Sequence, residues 1–226
     1  MSETGDAIWQ GVRWELLRWR RSQRLWLLLI PPVAGPIGSA VADLYLHIPS
    51  VETARILGLL ITGGLAALIA LDLTALSVGE DLALRVHLFS FTLPERRSAG
   101  LAGRLIDSVG APLAAYALGA AGVWAVGGAL VTETSPVTAI FPAARLAVAI
   151  PMFLVFIAGV TAAAAVYTRS SAQALVAGVL AVVAGAGATA DLLLQNELTI
   201  AFPALLALAG VGALGWSLIR YPHLEG

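Results

Sequence analysis

Acidic side chains stranded among apolar ones are where this sequence has chemistry to offer. Asp72 falls inside the run Ile56 to Gly79. At 1.5 Å of rise per helical residue it lies roughly 10 Å from the Gly79 end. A carboxylate at that depth either carries a proton- or substrate-linked charge or clamps a neighbouring helix. Glu80 and Asp81 form an acidic pair directly after that run, with Arg85 one turn on. Asp107 follows Arg104 at the i,i+3 spacing of a helical ion pair. Asp43 and Asp191 stand at the ends of apolar runs, where water is close and a carboxylate needs no special role. His47, His87 and His223 are scattered, without metal-ligand spacing, so no metal centre is expected.

Other chemistries are excluded by residue type. The chain has no cysteine, which removes disulfides, thiolate metal sites and cysteine nucleophiles. All 13 basic residues are arginine. A Walker A loop needs lysine, so any ATP must be bound by another chain, and no cofactor is expected in this one. GxSxG, HExxH and facing pairs of acids are absent. Gly185 to Asp191, GAGATAD, is similar to intramembrane aspartyl motifs but lacks their adjacent Gly-Asp pair. The chain does not read as an enzyme.

The elements that must hold these residues are membrane spans. The 226 residues are 59% hydrophobic and 12% charged, against about 25% charged in soluble domains. Mean hydropathy is +0.88. Several apolar runs exceed the ~20 residues that cross a bilayer core. They are continuous rather than alternating, which points to helices and not to a β-barrel. The fold class expected is all-α: a polytopic helical bundle in one domain, with spans at 25–46, 56–79, 105–131, 141–167, 172–194 and 198–219. Pro31, Pro32 and Pro36 predict a kink or break in the first span. Gly119, Gly122, Gly185, Gly187, Gly210, Gly212 and Gly215 predict helix contacts through small residues, mainly within one chain. Net charge is −1, so no nucleic-acid partner is expected.

Residues 6–24 are too charged to span. Asp6 is a plausible N-cap, with a frayed end before it. Trp9, Trp14 and Trp19 alternate with Arg13, Arg18, Arg20, Arg21 and Arg24. Tryptophan with arginine favours the headgroup layer, so an amphipathic helix lying on the membrane is predicted. Six spans put every arginine except Arg55 and Arg145 on one side. By the positive-inside rule both termini and residues 80–104 are cytoplasmic, in the cell (inner) membrane.

The segment 80–104, EDLALRVHLFSFTLPERRSAGLAGR, is the long polar island of the chain. Its arginines obey topology alone. Its apolar stretch Leu88, Phe89, Phe91 and Leu93 does not, because an exposed loop has no reason to be so hydrophobic. A short docking helix is expected there, with Glu80, Asp81 and Arg85 on its rim and Pro94 turning the chain back to the membrane.

Taken together, WQGVRWELLRWRRSQRLW before the first span, Glu80-Asp81 at the inner end of the second, and FTLPERRSAGLAGRLID before the third resemble the membrane (permease) subunits of ABC-2 type transporters, exporters among them. The resemblance implies an elbow helix at 6–24. It also implies a coupling helix within 80–104 that seats in a separate ABC ATPase subunit, which carries the ATP. A second membrane subunit, most simply a homodimer partner, is implied too. This chain lacks the glycine that many members carry after the acidic pair. Its outer turn at Gln195 to Glu197 leaves little room for re-entrant outer helices. Two other readings follow from the residues: an ion- or proton-coupled carrier centred on Asp72, and a non-transporting membrane assembly factor.

Overall fold

A computed structural model describes residues 3–22, 24–44, 51–80, 82, 94–130, 141–194 and 200–221. The described elements are helices: α1 (Glu3–Arg21), a 3₁₀ turn (Arg24–Leu29), α2 (Ile30–Leu44), α3 (Val51–Thr74), a π-helical turn (Ala75–Glu80), α4 (Pro94–Leu130), α5 (Phe141–Thr168), α6 (Ser171–Leu194) and α7 (Ala201–Arg220). No strand occurs among the described residues. Among the described residues, five stretches are long and apolar enough by length and composition to cross a membrane: Arg24–Ala42, Glu52–Gly79, Gly100–Val126, Ala143–Thr168 and Ala201–Arg220. In α6 the stretch Ser171–Gly187 is apolar but shorter among the described residues. The chain is thus built as a multi-pass helical membrane protein.

The surface supports the same conclusion. Leu118, Leu180, Leu205, Leu208 and Ile219 are all more than 60% exposed. Water would penalise so much apolar surface, whereas lipid is indifferent to it. Inside, two apolar clusters stack along the bundle. Leu59, Ala66, Val123, Leu146 and Leu154 fill one. Val78, Leu82, Leu101, Leu105, Val166 and Tyr221 fill the other. The most extensive helix pair is α5 with α7. It closes at Gly159 and Gly210, where a Cβ on Gly210 would stand 2.7 Å from the Phe156 Cα. That is backbone-to-backbone packing of the kind small residues permit.

Several boundaries differ from the sequence expectation. Glu3 to Gly5 are helical, so the end expected to fray is part of α1 and Asp6 lies inside the helix rather than capping it. The proline break is real: the 3₁₀ turn gives way to α-helix at Ile30, just before Pro31 and Pro32, and Pro36 lies inside α2. Proline at the first turn has no donor to lose. α3 begins at Val51, before the expected Ile56, because Glu52 and Arg55 both find partners at that end (below).

The largest difference concerns the polar island. α4 is a single helix of 37 residues starting at Pro94, roughly 55 Å long. Pro94 therefore opens a helix; it does not break one. Its fixed φ suits the first helical position. The stretch 94–104, expected as part of a cytoplasmic loop, is the continuous base of the third apolar helix.

Candidate functional site

Some of the residues that sequence reasoning singled out, Trp19, Asp72, Arg104 and Asp107, lie at one end of the bundle, where α1, the end of α3, the start of α4, the α5–α6 turn and the end of α7 meet.

α1 presents two faces. Gly11, Val12, Glu15 and Trp19 recur at helical spacing and are buried. Trp9, Arg13, Trp14, Leu16, Leu17, Arg20 and Arg21 are exposed. The buried strip crosses α4 with backbones in contact. A Cβ on Gly103 would lie 2.6 Å from the Ile8 carbonyl oxygen and 2.9 Å from the Val12 nitrogen. A Cβ on Gly11 would stand 3.1 Å from the Gly100 oxygen. Any larger side chain at Gly103 forces the helices apart.

Trp19 is the plug of this crossing. It is 1% exposed and clusters with Ile69, Leu73, Leu25, Leu28 and Ala111. Its indole Nε1–H donates to Glu15 Oε1 at 3.1 Å. The other carboxylate oxygen, Oε2, meets Arg18 Nη1 at 3.9 Å, a loose and partly exposed pair. Asp107 is buried, and its Oδ2 has no hydrogen-bond partner. No ion pair joins Asp107 to Arg104 among the described residues, so the expected i,i+3 pair is not formed there.

The end of α3 has its own irregularity. The helix widens into a π turn over Ala75–Glu80, a local expansion that often marks functional positions. Thr74 Oγ1 and Ser77 Oγ are buried without hydrogen-bond partners at this turn. Asp72 lies half-buried just before it. Gly79 touches the next element directly: a Cβ there would stand 2.7 Å from the Ser171 Cα. Ser171 opens α6 after a tight turn. Arg169 adopts φ 55° there, and Ser170 Oγ accepts the Gln173 N–H at 3.4 Å, a standard N-cap arrangement.

Residues 80–104 are thus held at both edges. Leu82 is buried with Val78, Leu101, Leu105 and Tyr221 in one apolar cluster. Glu80 and Pro94 are helical in backbone. Asp81, Arg85, Leu88, Phe89 and Phe91 lie outside the described residues, as do His47, His87, His223 and the Gln195–Glu197 turn.

At the opposite end, Glu52 Oε1 accepts the Ala143 N–H at 3.0 Å and thereby caps α5 from α3. The Arg55 guanidinium stacks over Trp124, 4.7 Å from the ring centroid. Between these ends an apolar cavity of about 280 Å³ opens among Leu60, Gly63, Gly64, Phe153, Gly185 and Ala186. Among the described residues no group of acids and histidines is placed to hold a metal ion.

Sequence reasoning missed Gly11, Glu15, Gly79 and Gly103. Gly11 carried a signal: glycine within a strongly charged helix costs about 1 kcal/mol relative to alanine, so its place there asks for a close contact. The fold and this end of the bundle define a polytopic helical membrane protein whose first helix is packed against α4 through glycines. The chain matches no protein-family model, no curated protein and no solved structure.

Proposed function

We propose that this chain is the membrane-spanning permease subunit of an ABC-2 type transporter, of the exporter kind, working as a homodimer with a separate ATPase that docks on residues 80–104. In this reading six helices span the membrane, α6 included, and both termini are cytoplasmic. One observation supports it above the others. The two helices that bracket the segment reach it through the π turn after α3 and from Pro94 in α4, and each is packed backbone to backbone on a different part of the bundle, the π turn on α6 at Gly79–Ser171 and α4 on α1 at Gly103–Gly11. A soluble motor pulling on 83–93 would move rigid helices rather than a slack loop. ATP belongs to the partner, since the chain has no lysine for a phosphate loop.

The test is co-purification. A tagged chain from its native membrane should bring down a P-loop ATPase, and charge reversal at Glu80, Asp81 or Arg85 should weaken that association and abolish ATP-driven transport. Absence of any ATPase, together with unchanged function in the reversed variants, overturns the proposal.

A second reading has one observation in its favour: half-buried Asp72 immediately precedes a π turn with two unpartnered hydroxyls. An ion- or proton-coupled carrier would lose its pH-dependent flux in Asp72→Asn with no ATPase present; unaltered flux removes this reading.

A further inference from the structure

Among the described residues nothing packs over the outer face of α1, yet its composition is specific. Trp9 is 63% and Trp14 67% exposed, and Leu16 and Leu17 are exposed beside them. Arg13, Arg20 and Arg21 project from the same surface. Its one mid-helix acid, Glu15, is on the opposite, buried strip. Topology counts arginines, but it does not require them to alternate with exposed tryptophans on one side of a clamped helix.

The clamp also sets the depth of that face. Gly11 meets α4 at Gly100 and Gly103, where the apolar stretch of α4, Gly100–Val126, begins. The chain then passes from α1 into the apolar stretch Arg24–Ala42, whose Trp26 is 70% exposed. Arg13 is therefore near the start of that apolar stretch, and Arg20 and Arg21, next to Trp19 and its cluster with Ile69, Leu73 and Ala111, stand further along it. Hydrocarbon rejects guanidinium, and bulk water disfavours a tryptophan-leucine surface. The headgroup layer accepts both. Guanidinium matches phosphate in shape as well as charge.

We infer that the outer face of α1 is a binding surface for anionic phospholipid headgroups, with Arg13, Arg20 and Arg21 meeting phosphates and Trp9, Trp14, Leu16 and Leu17 seated between the lipids. The surface is joined rigidly to α4 through Gly11 and Gly103, so headgroup charge acts on the helix that begins at Pro94. The inference rests on the chain being a multi-pass membrane protein and not on transport.

Vesicles of phosphatidylcholine and phosphatidylglycerol carrying the purified full chain test this, with spin-labelled versions of both lipids reporting which one associates. The wild type should select phosphatidylglycerol, and the selection should fall with added salt. The variant Arg13→Gln/Arg20→Gln/Arg21→Gln should lose it, by up to about fivefold per arginine at low salt. Lysine at the same three positions should keep most of it, and Arg145→Gln, on α5, should change nothing. Should the triple variant fail to fold, Arg20→Gln alone must still lower the preference. Equal association of the two lipids, or undiminished preference in the glutamine variants, overturns the inference. So does a shift in dimerisation in place of lipid preference, since a second copy would then cover this face.

Discussion

Trp19 and Asp107 show how differently two buried polar side chains on one seam are treated. Trp19 buries a large ring and satisfies its one donor on Glu15. Asp107 is buried with Oδ2 unpartnered. Trp19→Ala should therefore destabilise the chain by about 3–5 kcal/mol, read as a fall in the thermal unfolding midpoint in detergent. Trp9→Ala, on the exposed face of the same helix, should stay within about 0.5 kcal/mol. Asp107→Asn should be neutral or raise the midpoint, because it removes a buried carboxylate whose Oδ2 has no partner. A loss as large as that of Trp19→Ala would mean that Asp107 holds a partner the folded chain needs.

At the level of elements, the α1–α4 crossing and the Gly79–Ser171 contact turn separate helices into linked ones. Gly103→Leu should cost about 1–3 kcal/mol by overpacking and should free α1 from α4. The absence of native cysteine makes this directly measurable. Gly11→Cys with Gly100→Cys places the two sulfurs within bridging reach, since the Gly11 Cβ position lies 3.4 Å from the Gly100 Cα. Oxidation should crosslink that pair in the otherwise wild-type chain, and the added Gly103→Leu should abolish the crosslink. An unchanged yield would show that α1 stays docked without its glycines.

For the whole molecule, the decisive arrangement is which ends of the helices share a side. If six helices span, single cysteines replacing Arg169 and Arg220 should label from one face of oriented vesicles and a cysteine replacing Arg145 from the other. Labelling of Arg145→Cys and Arg169→Cys from the same side would remove α5 from the spanning set. Gly210→Leu should loosen α7 from α5, because that interface has backbone against backbone and no side chain able to yield. The expected result is a lower unfolding midpoint with helix content retained.

Membrane class, helix content and most helix positions were legible from composition and run length, because lipid requires continuous apolar helices and tolerates little else. α5, α6 and α7 fall within a few residues of where the apolar runs predicted them. The first-span break was legible too, since proline acts locally. What only the tertiary structure decided is contact between distant residues. Nothing local tells Gly11 that its partner is Gly103, or Trp19 that it will pack with Leu73. The same limit hid the true start of α4. The charges of Glu95, Arg96, Arg97 and Arg104 read as loop because polar residues normally mark the water-facing end of a span. Helix nevertheless runs unbroken from Pro94 to Leu130, with α1 packed on it at Gly100 and Gly103, and contact between distant elements is a property of the fold that no single stretch of sequence contains.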